Sequence, residues 1–139
     1  MDTILTPVLV LILWTLVIWV WMYATRIPAM NKAGIKPNEA QAKGSLDVLP
    51  QSVRQVADNY NHLMEQPTIF YALVFFTYLA GHETDTTVMM AWAYVALRIV
   101  HSLIQVTVNR VMWRFGVFAL ASLALFALCL HAFMGFVLH

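Results

Sequence analysis

Apolar positions along this chain come in long blocks rather than in the alternations of a water-soluble fold. Ile4 to Ala24 is apolar apart from Thr6, Pro7 and Thr15, and about 20 such residues suffice to cross the hydrocarbon core of a bilayer. Asp2 precedes this run where a secretory signal would carry basic residues, and no small-residue cleavage site follows, so it reads as a retained span. Pro67 to Ala80 is a shorter apolar run that spans only if its helix begins well upstream, near Pro50, a residue suited to a first helical turn. Met89 to Val108 is a third block, interrupted by Arg98, His101 and Gln105, and Phe115 to Leu138 is a fourth. The pattern predicts spans over about 4–25, 63–80, 88–108 and 115–138, with a connecting loop over about 26–50. An all-α integral membrane four-helix bundle, running up-down-up-down in a single domain over 1–139, is the fold expected.

Composition supports the bilayer as the solvent. Of the 139 residues 61% are hydrophobic and 11% charged, against about 25% charged in an ordinary soluble domain. A chain this short cannot hide that much apolar surface in one core, which excludes a soluble enzyme and a disordered regulator. The net charge of +1 provides no field for a polyanion, so no nucleic-acid partner is expected. One cysteine excludes an intramolecular disulfide, and Cys129, inside an apolar run, is expected to be a buried thiol.

Charge also predicts orientation. Arg26, Lys32, Lys36, Lys43 and Arg54 fall in or beside the first connection, Arg110 and Arg114 in the third, and Arg98 inside a span. The segment from Gly81 to Thr87 carries no basic residue. By the positive-inside rule both termini face outward and the first and third connections face the cytoplasm. The first connection also holds Pro28, Gly34, Pro37 and Gly44, a composition expected of a mobile or functional loop.

The informative residues are polar ones inside spans. On the third helix Tyr94, Arg98, His101, Ser102, Gln105 and Asn109 fall within an arc of roughly 100° at helical spacing. Arg54, Asp58, Asn61, His62 and Glu65 do the same on the second. Two such stripes on consecutive helices predict one polar crevice open to the cytoplasm, and an ionisable residue within a span is a functional candidate by default. Arg98, about 16 Å of helix rise from Asn109, requires compensation, and Glu65 is the acid at hand, so a Glu65–Arg98 pair is expected. Such a pair could equally serve only to fix helix register.

No metal site is expected: His62 and Glu65 form one isolated i, i+3 pair, whereas a di-metal carboxylate bundle needs several such elements on different helices. A haem between His101 and His131 fails because the two lie at different depths. Trp14, Trp19, Trp21, Trp92 and Trp113 read as interfacial anchors and span packing.

The segments Asn59-Tyr-Asn-His-Leu-Met-Glu65-Gln-Pro-Thr-Ile-Phe-Tyr71, Arg98-Ile-Val-His101-Ser102 and Asn109-Arg110-Val-Met-Trp-Arg114-Phe together resemble the MAPEG family, the membrane-associated proteins of eicosanoid and glutathione metabolism. The resemblance covers the whole chain. It is nearest to the bacterial branch, with Pro67 and the Phe70-Tyr71 pair following the acid. It implies a homotrimer in a bacterial inner membrane, with glutathione as co-substrate between subunits and a lipophilic small-molecule substrate drawn from the membrane lipids. By match to the family motif, Arg114 is the implied thiolate stabiliser. Glu65, Arg98, His101 and Arg110 are implied glutathione contacts, with His62 and Asn61 beside them. The chain departs from the family pattern at His62 and Asp58, where the family carries asparagine and arginine, and at Gln105 and Phe115, where it carries tyrosine and a polar residue. The activity implied is a glutathione-dependent transferase or peroxidase. A silent membrane scaffold and a small-molecule binder without chemistry remain the alternatives.

Overall fold

The computed structural model describes residues 3–36, 38 and 45–138. Among these, five α-helices and a short 3-10 turn at Ser45–Val48 make up the regular structure: α1 Leu5–Ala33, α2 Gln51–Leu63, α3 Gln66–Leu79, α4 Asp85–Val106 and α5 Val111–Leu138. Of these, α1, α4 and α5 are long and apolar enough to cross a membrane.

The helices alternate in direction, and contacts at one end of the bundle show it. The Ile4 N–H at the start of α1 donates to Glu83 Oε1 at 2.8 Å in the α3–α4 connection. His82 in that connection packs against Gly135, near the end of α5, so closely that a Cβ there would lie 2.9 Å from its ring Nδ1. We call this the Gly81 end. The opposite end holds the close of α1, the start of α2 and the tight link from α4 to α5. The up-down-up-down bundle is therefore present, α4 and α5 forming its most extensive pairing and α1 packing on α2, α3 and α4.

Two boundaries differ from the sequence expectation. The first helix passes through Pro28 and ends only where Gly34 adopts a left-handed φ of 75° and its N–H bonds back into the last turn. Pro28 costs the helix the hydrogen bond to the Ala24 carbonyl without ending it, since the packed part of α1, from Pro7 to Met22, lies ahead of it. The described part of the loop is thus shorter than 26–50 suggested; Pro37, Lys43 and Gly44 lie outside the described residues. The second difference has more consequence. In place of one helix from Pro50 to Ala80 there are two, broken at Met64 and Glu65, where Glu65 leaves helical geometry with φ −94° and ψ −94°. Pro67 explains the break: it has no N–H to give to Leu63 and its ring crowds that carbonyl, so the chain ends one helix and begins another with Pro67 in the first turn. At 14 residues α3 is about 21 Å long, short of a full crossing alone.

Packing explains the composition. The core gathers Leu11, Ile18, Leu63, Phe70, Val74, Val95 and Leu128, while α5 buries only the stripe Ala121, Leu125, Leu128 and Ala132. The remaining faces of α1 and α5 are exposed and apolar, Leu13, Leu16, Leu123, Phe126 and Phe133 among them. Apolar surface on this scale is stable only against lipid or another protein. Cys129, expected to be buried, is exposed on this outward side of α5, because α5 uses one narrow face for the core and leaves the rest outside. The chain is an integral membrane protein.

Candidate functional site

The inward face of α4 carries the polar residues read from its spacing. Tyr94, Arg98, His101, Ser102 and Gln105 are all buried, Arg98 with no exposed surface at all. Asn109 lies past the end of the helix, held at a positive φ of 52° with its N–H on the Ile104 carbonyl at 2.6 Å.

The facing stripe on α2 is rotated from the one expected. Arg54, Asp58, Asn61 and Glu65 are exposed, while Gln55 and Asn59 are buried. Gln55 Nε2 donates to the carbonyls of Val106 and Thr107 at 3.0 and 3.1 Å, closing the end of α4. Ser102 Oγ donates to Asn59 Oδ1 at 3.0 Å, and His62 Nδ1 lies 3.2 Å from Gln105 Oε1. Gln66 accepts from the Tyr94 hydroxyl and donates to Ser122 Oγ, each at 2.9 Å. Neutral amides and hydroxyls bond to one another at the closed interface, whereas the charged groups of this stripe, Arg54, Asp58 and Glu65, would be costly there and stay at the exposed margin. Choosing stripe residues by charge selected the margin. The signal for the interface was the run of amides at helical spacing, Gln55, Asn59 and Gln66 with His62.

Arg98 is compensated differently from the expectation. Its Nη2 donates to the main-chain carbonyl of His62 at 3.3 Å, and Nε and Nη1 are buried without a partner, so none of the three nitrogens hydrogen-bonds Glu65. The break explains this arrangement. With Glu65 out of helical geometry, the last turn of α2 tightens, the His62 carbonyl taking the Glu65 N–H at 3.2 Å and keeping its second lone pair for the guanidinium, which faces the negative end of the helix dipole. Glu65 acts on Arg98 only as a charge across a cavity that both line. Phe118 of α5 completes the surroundings, its ring centre 5.6 Å from the guanidinium carbon.

That cavity, of about 350 Å³, is lined by His62, Glu65, Gln66, Arg98, His101 and Arg114, with Val111, Phe115 and Phe118 as an apolar wall. A second, of about 390 Å³, shares His62, Glu65 and Arg114 with it and adds Asp58, Asn61 and Gln105. The two form one crevice with a polar arm and an arm open to apolar groups. Arg114 is half-buried, its Nε without a partner. His62, Glu65, Arg98, His101 and Arg114 are thus brought together, with Asn61 in the polar arm. Arg110 stands apart, its guanidinium 4.8 Å from the centre of the Trp113 ring, outside the lining of both cavities. His131 lines a third cavity at the Gly81 end with His82 and Glu83. Among the described residues no group of three or more His, Cys, Asp or Glu is placed to hold a metal ion.

The model of the MAPEG family matches residues 4–134. The chain belongs to the MAPEG family. No curated protein and no solved structure matches it. As a MAPEG protein it carries its crevice on the four polar elements visible above: the close of α2, the start of α3, the buried face of α4 and the first turn of α5.

Proposed function

We propose that this MAPEG protein is a glutathione-dependent transferase or peroxidase acting on lipophilic electrophiles. The observation that carries the reading is the buried, half-partnered Arg98 facing a cavity that also holds Arg114. A fully buried guanidinium with two unpartnered nitrogens is a costly arrangement unless a ligand supplies acceptors, and a carboxylate matches its fork. Glutathione offers two carboxylates, an amine for Glu65 or Asp58, and a thiol that becomes nucleophilic only as thiolate. Arg114, shared by both arms of the crevice, supplies the cation near sulfur, while Phe115 and Phe118 present a surface for an apolar second substrate. Sulfur attacks an electrophilic carbon, the C–S bond forms and the leaving group departs with its electron pair. On a lipid hydroperoxide, sulfur takes the terminal oxygen and a second glutathione reduces the resulting sulfenate, giving the disulfide, an alcohol and water.

The direct test is turnover by purified protein of an apolar aryl halide and of a lipid hydroperoxide, each with millimolar glutathione. Conjugate or alcohol above the uncatalysed rate supports the proposal. Absence of both, with no glutathione binding, favours a scaffold.

The proposal places the crevice on the cytoplasmic side of a bacterial inner membrane. In a background with Cys129 replaced, cysteines at Lys36 and Ala80 should label from opposite sides of the membrane. Labelling of both from outside would overturn this orientation.

A homotrimer is part of the same reading. Glu65, Val111 and Phe115 line the crevice and are exposed, so a tripeptide held there needs a further wall. Light scattering corrected for detergent should give three times the protomer mass of 15.8 kDa; a value near one protomer would contradict it.

A further inference from the structure

The α5 wall of the crevice is held in an unusual way. All four buried residues of α5 lie at or beyond Ala121, so the turns that carry Val111, Arg114, Phe115 and Phe118 have no buried side chain to fix them. What lies next to them is a hydrogen bond. Gln66, the first residue of α3, uses its one amide on two other helices, accepting from Tyr94 of α4 and donating to Ser122 of α5. The Tyr94 end is immobile, since that ring is fully buried and stacked on Phe70 with centres 4.5 Å apart. The Ser122 end is only half-buried, so less packing holds it. Ser122 lies one turn from Phe118 on the same face of α5, and Phe118 in turn sits against both Arg98 and His101.

Gln66 occupies this place because of the break before Pro67. At the start of a new helix its side chain reaches sideways to α4 and α5 while lining the cavity. Interhelical hydrogen bonds of this kind hold helix placement that packing alone leaves loose.

We propose that Gln66 is a positioning residue: through Ser122 it sets the rotation of α5, and so places Arg114 and Phe118 opposite Arg98. This rests on the glutathione reading above. The ligand contacts on α2 and α4 do not depend on Ser122, whereas the placement of Arg114 does. Misplacing a catalytic cation by about an ångström lowers turnover far more than affinity.

Two measurements test it. The first is kinetic. Gln66→Leu and Ser122→Ala should each lower kcat about tenfold or more while KM for glutathione stays within about twofold. The double variant should be no worse than either, and Ser122→Thr, which keeps the hydroxyl, should restore kcat. Additive losses, a change in KM alone, or failure of the threonine variant to rescue would overturn the proposal. The second needs no glutathione turnover. Spin labels on cysteines at Ile69 and Met112, sparsely incorporated in a background with Cys129 replaced, report the α3–α5 separation near the cavity. The distance distribution should broaden in Ser122→Ala and not in Ser122→Thr. An unchanged distribution overturns the proposal even if kcat falls. If the distribution broadens but the wild-type protein turns over no thiol, the glutathione reading fails while the placement of α5 by Gln66 stands.

Discussion

Replacing Arg98 with methionine should abolish glutathione binding while leaving the fold as stable as the parent, or more so. Arg98 is fully buried, with a single hydrogen bond to the His62 carbonyl and two nitrogens unpartnered. In a bilayer interior such a charge is a net cost to folding, and an apolar side chain of similar volume is commonly neutral or stabilising by about 1–4 kcal/mol. The same two nitrogens are what a ligand carboxylate would use. Charge-assisted hydrogen bonds contribute roughly 1.5–3 kcal/mol each, so losing two weakens binding by roughly 10²–10⁴-fold. Thermal unfolding and calorimetry on Arg98→Met check the two halves separately. Glu65→Gln should leave stability nearly unchanged, because no hydrogen bond joins Glu65 to Arg98. A loss of about 3–5 kcal/mol, the cost of breaking a buried ion pair, would show that the two are direct partners after all.

Arg114→Leu should lower conjugation at neutral pH by roughly 10²–10³-fold, the cost of removing one donor aimed at developing negative charge. The sign of its pH dependence is fixed by the chemistry. A guanidinium beside sulfur stabilises thiolate over thiol, so the parent enzyme reaches its rate plateau below the free-thiol pKa of about 8.5. Without the cation the thiol titrates at its ordinary position or above. The variant's rate should therefore climb with pH through that region, and the gap to the parent should narrow. Rate against pH for both proteins, with an aryl halide as electrophile, measures this. A uniform loss at every pH would mean that Arg114 holds the peptide and not the thiolate.

The bundle was legible because bilayer crossing leaves so strong a mark: Ile4 to Ala24 and Phe115 to Leu138 are unmistakable apolar blocks. So was the inward face of α4, since five polar residues on one arc of an apolar helix have only one reasonable direction to point. The path of the second span was harder to see. Pro67 announced a disturbance, but a proline can start a helix, kink one or end one, and only the resulting geometry at Glu65 shows which happened. One misreading follows from that single point. Treating α2 and α3 as continuous hid that the His62 carbonyl, which takes the Glu65 N–H at the close of α2, is also turned toward Arg98, so the Glu65 side chain seemed the only compensation for Arg98. The stripe was misread because its residues were chosen by charge, when Gln55, Asn59 and Gln66 were the ones that close the interface. Cys129 was misjudged for a different reason. An apolar neighbourhood in a membrane helix does not mean burial in protein, because the side facing lipid is equally apolar.

The central claim is that the crevice takes glutathione and holds it as the thiolate. It is tested most directly by calorimetric titration of the purified protein with glutathione in buffers of different ionisation enthalpy, which reads binding and proton release together. Saturable heat at or below millimolar glutathione, with a proton released to the buffer as the thiol ionises, is the predicted result. No saturable heat at millimolar glutathione, or binding without proton release below the free-thiol pKa, would contradict it.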